Sequence, residues 1–214
     1  MVREFMYKSF SVIGIACFLI SASFAEFRIW EDKAGKVWEG EFVTMNAGKV
    51  VIQDRDGKKQ EYSPDELSEN DVSYLEEIIP PRLSLDVSKS SDSSTSGKAE
   101  SIICRASIKK ANTRSYKGEL TAVLVIIAEE MRTGAFSKAG ASKEFTFTLP
   151  EKHGVPVEFE TSSIKLAKSS AKSGRVYAGY VLVVWDRFGN PIAVKSNRDS
   201  FLERAARIAR PHNG

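Results

Sequence analysis

Cysteine is scarce in this 214-residue chain, which contains only two. Cys17 lies in an apolar N-terminal segment, so Cys104 is left alone in the rest of the chain. A single cysteine cannot form an internal disulfide or a zinc cluster. Because Cys104 alternates with Ile102 and Ile108 on one face of a predicted strand, we interpret it as a small buried hydrophobe. We therefore expect no metal and no cofactor, and we expect stability to come from ordinary apolar cores.

Histidine is equally scarce, with His153 in a predicted loop and His212 near the C-terminus. The sequence contains no nucleophile-elbow, zinc-protease or phosphate-loop motif. Glu129 and Glu130 are neighbours at a strand end, so they point to opposite faces and do not form a glycosidase pair on that evidence. We therefore predict a non-enzymatic protein with no catalytic residues. The alternative is a hydrolase acting on envelope polymers, with a site that these patterns do not reveal.

Long apolar runs are absent except at the N-terminus. Arg3 and Lys8 precede an apolar run over residues 12–20, and small residues follow up to Ala25. This layout predicts a signal peptide over residues 1–25, cleaved between Ala25 and Glu26. The apolar run is well short of the ~20 residues that a membrane-spanning helix needs. We expect an exported protein, periplasmic or extracellular, with membrane contact that is at most peripheral.

The charge of the remaining chain is unevenly distributed. Residues 26–79 contain 7 basic and 14 acidic side chains, a net charge of −7. Residues 80–214 contain 22 basic and 13 acidic side chains, a net charge of +9. Such asymmetry indicates separate partners or attraction between the two parts. Pro80 and Pro81 mark the boundary, so we predict one domain over 26–79 and a second over 80–214.

The first of these segments has four short predicted strands, each ended by a turn signal. Asp54-Arg55-Asp56-Gly57 is typical of a tight hairpin turn, since Asp-Gly tolerates positive φ. Ser68 and Asp71 form a predicted capping box at the start of a short helix. Pro80 ends that helix. The pattern therefore predicts a small β-structure closed by one helix.

The order of residues in this segment resembles that of a known module. The matching residues are Arg28-Ile29-Trp30, Gly35, Trp38-Glu39-Gly40-Glu41-Phe42, Gly48-Lys49-Val50-Val51-Ile52, Asp56-Gly57-Lys58, Leu67-Ser68 and Asp71-Val72-Ser73-Tyr74-Leu75. Residues 26–77 resemble Sla homology domain one, an SH3-like module first defined in a yeast endocytic adaptor and similar to modules of exported bacterial proteins. The resemblance implies an SH3-like barrel and adaptor-type recognition of short peptides with an Asn-Pro-Phe core.

Four aromatic residues of this segment are candidates for a peptide-binding site. Trp30, Trp38 and Tyr62 lie on predicted neighbouring strands, and Tyr74 lies on the helix. SH3-like barrels use such aromatics to line a peptide groove, and small domains also use them as core. We expect at least half of the four to be core.

The charge of the segment points to the kind of partner it would bind. A net charge of −7 favours a neutral or basic protein or peptide, unless Arg55, Lys58 and Lys59 form a local basic patch. One candidate partner is the protein's own second domain. Export disfavours nucleic acid as a partner, and the sequence leaves the oligomeric state open.

In the second segment, residues 80–214, the pattern of short strands and regular turns predicts an immunoglobulin-like β-sandwich of seven short strands with a C-terminal helix. The polar stretch Ser88–Gly97 predicts a protease-sensitive loop. A change of alternation near Thr161-Ser162-Ser163 predicts a bulge. The overall expectation is a mainly β chain.

The predicted C-terminal helix begins with a capping box of Ser200 and Glu203 and ends before Pro211. Arg204, Arg207 and Arg210 would line one side of it. We interpret these cations as a solvated face, and the alternative is a peripheral contact with an anionic membrane surface.

Overall fold

A computed structural model describes residues 27–95, 98–170 and 172–210. The predicted cleavage site between Ala25 and Glu26, and also His212, lie outside the described residues. No helix of the described residues is long and apolar enough to cross a membrane. The chain is mainly β, with 53% strand and 12% helix, which confirms the predicted fold class.

The N-terminal part is a four-stranded antiparallel sheet followed by a helix. The strands are paired in chain order, so each hairpin joins neighbours. A 3-10 turn over Pro64–Glu66 separates the last strand from the helix. The elements are β1 (Arg28–Glu31), β2 (Val37–Asn46), β3 (Lys49–Gln53), β4 (Lys59–Tyr62) and α1 (Glu69–Ile78).

This sheet curls into a small barrel because the segment after β4 returns to β1. The Ser68 N–H donates to the Glu31 carbonyl at 2.8 Å, and the Lys33 N–H donates to the Glu66 carbonyl at 2.9 Å. The barrel encloses a core of five buried side chains. The core residues are Trp30, Val50, Ile52, Leu67 and Leu75.

The predicted cap of α1 forms in part. The Ser68 hydroxyl accepts a hydrogen bond from the Asp71 N–H at 3.2 Å, as predicted. The Asp71 carboxylate does not return to the Ser68 N–H, however, because that N–H is used to close the barrel. Asp71 instead accepts from the Glu31 N–H at 2.7 Å and from the Ser68 hydroxyl at 3.1 Å. The carboxylate therefore ties α1 to β1.

The C-terminal part is one antiparallel sheet of nine strands that folds over into a two-layer sandwich. The first layer, called the first sheet below, contains β5, β6, β10 and β11, and the second layer, called the second sheet, contains β7, β8, β9, β12 and β13. The β11–β12 hairpin joins the two sheets. The bounds are β5 (Leu83–Ser93), β6 (Ala99–Lys110), β7 (Leu120–Glu130), β8 (Phe136–Lys138), β9 (Lys143–Phe147), β10 (Val157–Glu160), β11 (Ile164–Ser170), β12 (Ser173–Trp185) and β13 (Pro191–Ser196).

The second sheet is buried on both faces. One face packs against the first sheet through side chains such as Leu124 and Leu182, which meet Cys104 of β6. The other face, which includes Val125 and Val183, is covered by α2 (Asp199–Leu202) and α3 (Ala205–Ile208). This double burial explains why β7 and β12 read as apolar on both faces.

The predicted Ser88–Gly97 loop is wrong over its first half. β5 extends to Ser93 because its backbone pairs with β6 along its whole length, from Leu83 opposite Lys110 to Ser93 opposite Glu100. The described side chains between Ser88 and Ser93 are exposed, so the strand has no apolar alternation that a sequence pattern could reveal. The sandwich contains nine strands in the described residues rather than the predicted seven, and β8 is among those that the sequence did not indicate.

At Thr161-Ser162-Ser163, where the sequence predicts a bulge, three residues lie opposite two of β6, between the pairs Glu160–Arg105 and Ile164–Ile102. β10 ends at Glu160 and β11 begins at Ile164, and both strands pair with the same edge of β6. The Thr161 hydroxyl accepts a hydrogen bond from the Cys104 N–H at 3.1 Å, which satisfies the backbone of β6 across the break.

The single predicted C-terminal helix is replaced by two short ones. Arg198 precedes α2, and the predicted Ser200–Glu203 capping box is not formed. Arg204 has φ −114° and ψ 5°, which interrupts the helix before α3. The interruption lets Phe201 and Ala205 both bury against the second sheet.

Candidate protein-binding surface

Trp30 belongs to the core of the barrel. Its side chain has 0% exposure, and its Nε1–H donates to the Gly40 carbonyl at 2.9 Å. A Cβ on Gly40 would collide with Ile52, so this close approach of the strands requires glycine. The structure therefore places Trp30 in the core rather than on a surface that a peptide can reach.

Tyr74 is half-buried, and one face of its ring is covered by Arg28. The Arg28 guanidinium lies 3.9 Å from the centroid of the Tyr74 ring and 4.9 Å from that of Trp30. The same guanidinium forms an ion pair with Asp71, with Nη2 and Oδ1 2.7 Å apart. Arg28 therefore makes cation–π contacts with Trp30 and Tyr74. The sequence did not predict these contacts, although Arg28 and Asp71 are both among the residues that match Sla homology domain one.

Trp38 and Tyr62 form a stacked pair. Their ring centroids are 4.5 Å apart and the rings are 17° from parallel. β3 lies between their strands, so the rings meet only because the sheet curls. The Tyr62 hydroxyl donates to Oε1 of Gln60 at 2.7 Å. The depression beside the pair measures about 10 Å³, too little for a side chain, so a partner would contact the outer surface of the rings.

Carboxylates surround this pair. Burial and the nearby carboxylates of Asp32 and Asp54 raise the pKa of Tyr62. Asp54 is fixed by the hairpin turn, where its Oδ1 accepts from the N–H groups of Asp56 and Lys58 at 3.0 and 2.9 Å. Asp54 and Glu39 line the depression together with Lys58, so carboxylates outnumber cations beside the rings, which favours a cation over an anion there.

Arg55 does not form the free basic patch considered from the sequence. Its guanidinium binds both oxygens of Glu39, at 2.9 and 2.6 Å. The hydrogen bonds that Arg55 donates to Glu39 lower the pKa of Glu39 and raise the pKa of Arg55. The positive charge of Arg55 is thus already paired within the domain.

The comparison with protein families agrees with this geometry. Residues 21–82 match the family SLA1 homology domain 1. The match covers the barrel and α1, and it confirms the resemblance read from the sequence. The match indicates that this segment is a protein-interaction module. No curated protein matches the chain.

The SLA1 homology domain contacts the sandwich through the end of α1. Glu76 forms an ion pair with Lys117 at 2.8 Å, and Glu77 forms one with Arg187 at 3.2 Å. The Lys117 N–H also donates to the Glu76 carbonyl at 2.9 Å. A Cβ on Gly118 would collide with the Glu77 carbonyl, so the loop approaches α1 closely.

The Glu76–Lys117 pair is held in its charged form. The hydrogen bond from Lys117 lowers the pKa of Glu76, and Ser115 and Arg114 act in the same direction. The same hydrogen bond, which the Lys117 ammonium donates to Glu76, raises the pKa of Lys117. Acidic groups of the barrel and basic groups of the sandwich therefore meet here, in accord with their opposite net charges.

The other candidate groups remain isolated. His153 is exposed in its loop, and the Glu129 and Glu130 side chains are half-buried at the end of β7. Burial raises the pKa of Cys104 to about 11, so its thiol stays protonated at neutral pH. Within the described ranges, no group of three or more His, Cys, Asp and Glu side chains is placed to hold a metal ion.

Proposed function

We propose that this chain is an exported, non-enzymatic protein-interaction protein whose SLA1 homology domain binds a neutral or basic protein segment. The observation that carries the proposal is the stacked Trp38–Tyr62 pair, at which the carboxylates of Asp32 and Asp54 create a negative potential. Paired aromatics give a large contact area at low entropic cost, and aromatic residues are enriched among the anchors of protein interfaces. An Arg or Lys of the partner would lie over the rings and close to Asp54.

The proposal distinguishes the two ends of the SLA1 homology domain. Glu76 and Glu77 of α1 bind the sandwich of the same chain, which is the self-docking expected from the opposite net charges. No hydrogen bond or ion pair in the described part of the chain joins Trp38 or Tyr62 to the sandwich. We infer that the contact of α1 with the sandwich holds the domain in place. The surface at the Trp38–Tyr62 pair stays open to another protein.

The test uses the mature protein, residues 26–214, against arrays of basic, neutral and acidic peptides at low ionic strength. Hits are then measured by isothermal titration calorimetry. We expect basic or neutral peptides to bind, and Trp38→Ala or Tyr62→Ala to weaken binding by at least about tenfold. Phe188→Ala is the matched control, since Phe188 is an aromatic of the sandwich with 51% exposure.

Two results would contradict this function. One is a preference for acidic peptides, which the negative potential forbids. The other is unchanged binding when both rings are removed, with circular dichroism showing that the variant is folded. Export is tested separately by the intact mass of the secreted protein, which should begin at Glu26.

A further inference from the structure

A groove on the sandwich, far from the aromatic pair in sequence, has the composition of a ligand site. It lies between β8 and the helices α2 and α3 and has a volume of about 500 Å³. That volume is within the range of small-molecule sites. Its apolar walls come from Ile127, Phe136, Phe201 and Ile208. We call it the cationic groove because Lys138, Arg204 and Arg207 also line it.

The apolar walls are ordered but incompletely covered. Phe136 meets the buried ring of Phe201 edge to face, with centroids 5.3 Å apart. Phe136 nevertheless has 48% exposure, although it lies on a strand. The Arg198 guanidinium approaches both rings, at 5.5 and 5.9 Å from their centroids. The groove thus offers an apolar floor with cations around it.

The charges of the three cations in this groove are not neutralised by carboxylates. Eight other cations of the described residues form ion pairs, among them Arg28, Arg55 and Arg105. In the described part of the chain, Lys138, Arg204 and Arg207 form no ion pair. Glu203 is the one acidic residue that lines the groove. The groove therefore has an excess of positive charge beside an apolar surface.

A neighbouring cavity shows that this excess is specific to the groove. The second cavity, at the other end of the same helical segment, is lined by Arg187 and Arg210. It also contains the carboxylates of Glu119, Glu144 and Asp186, which outnumber its cations. Its lining is therefore not suited to an anion.

We propose that the cationic groove binds a single-chain fatty acid. Its carboxylate would pair with Arg204 and Arg207, because the planar guanidinium matches a carboxylate in two parallel hydrogen bonds. Its chain would lie along the exposed ring of Phe136 and the half-buried Ile208, where apolar surface is open to water. A groove of this volume accepts one chain and has no room for a two-chain lipid together with its headgroup. The site is independent of the aromatic pair of the barrel.

The test measures binding of dodecanoate to the mature protein, residues 26–214, by isothermal titration calorimetry below the micelle concentration. Dodecanol and dodecyltrimethylammonium are the ligand controls. We expect saturable binding of dodecanoate and at least about tenfold weaker binding of both controls, which corresponds to about 1.4 kcal/mol. If dodecanol bound with the same affinity as dodecanoate, Arg204 and Arg207 would not be binding the carboxylate, and the proposal would be wrong.

Variants separate the charge from the apolar wall. The double substitution Arg204→Gln with Arg207→Gln should weaken dodecanoate binding at least about tenfold. Arg210→Gln is the matched control, because Arg210 follows α3 but lines the other cavity, and it should leave affinity unchanged. Phe136→Ser should also weaken binding without unfolding the sandwich, since the ring is half exposed.

The outcomes against the proposal are distinct. Absence of saturable dodecanoate binding, or the same affinity in the Arg204→Gln, Arg207→Gln protein, overturns it. Binding to phosphatidylglycerol vesicles without binding of free dodecanoate would replace it by a contact with the membrane surface. Thermal unfolding of each variant establishes that a loss of binding is not a loss of fold.

Discussion

The acidic barrel and the basic sandwich are stabilised in different ways. The barrel has a single cluster of five buried apolar side chains, whereas the sandwich has a larger cluster between its sheets and a second one under α2 and α3. A unit of about 55 residues buries too little apolar surface to be robust on that basis alone. The barrel instead adds polar links, in which Asp71 joins β1 to α1 and Arg28 covers Trp30 and Tyr74. The smaller unit therefore depends more on a few specific contacts.

The largest expected effect comes from removing the buried carboxylate of the barrel. Asp71→Ala leaves Arg28 and the Glu31 N–H without their partner, which should destabilise the barrel by about 3 kcal/mol. Urea unfolding followed by tryptophan fluorescence in a Trp185→Phe background, where only Trp30 and Trp38 of the barrel report, measures this loss. Glu69→Ala, an exposed acid in the same helix turn, is the control and should cost less than about 1 kcal/mol. Equal effects of the two substitutions would show that the polar link is not what holds the barrel.

The next effect concerns the contact between the two units. Gly118→Ala places a methyl group against the Glu77 carbonyl and the Tyr116 hydroxyl, so the loop must move away from α1. We expect a loss of about 2 kcal/mol from overpacking. Cleavage by trypsin after Arg82, which is exposed at the junction, should become several times faster. Gly140→Ala is the control, because its methyl group meets only the flexible side chain of Ile164. Unchanged cleavage in the Gly118 variant would mean that the contact is not rigid.

The sequence predicted those features of both units that depend on side-chain alternation. The face shared by Ile102, Cys104 and Ile108 and the two-sided burial of β7 are of this kind. It could not predict the exposed half of β5, since backbone pairing with β6 leaves no trace in the residues Ser90 to Ser93.

The candidate site shows the same limit. The four aromatic residues were found from the sequence, but their division between core and surface depends on the curvature of the sheet. Trp30 and Trp38 are opposite each other in register, yet Trp30 is fully buried whereas Trp38 stacks on Tyr62. The ion pairs of Glu76 and Glu77 with the sandwich require the chain to fold back, which no local pattern specifies.

A smaller effect is expected from pH. Because Lys117 lowers the pKa of Glu76 in the folded protein, the stabilisation is present above the unfolded pKa of about 4.3 and is lost as pH falls through the lower folded value. The radius of gyration from small-angle X-ray scattering should increase below about pH 4 as the units separate. Lys117→Met should remove most of this pH dependence. A transition of the same size in that variant would assign it to other carboxylates.

The smallest expected effect is no change at all, and it decides whether the two units are independent. Cys104 is fully buried in the sandwich, and burial raises the pKa of its thiol to about 11. In the protein of residues 26–214 it should react with a thiol reagent at pH 8 only when the sandwich unfolds. If the units fold separately on either side of Pro80 and Pro81, urea that unfolds the destabilised barrel of the Asp71→Ala variant should leave this protection unchanged. Loss of protection together with the barrel would show that the sandwich depends on the contact with α1. Lys117→Met alone then tests whether the ion pair with Glu76 transmits that dependence, since this variant should lower the protection of Cys104 only if it does.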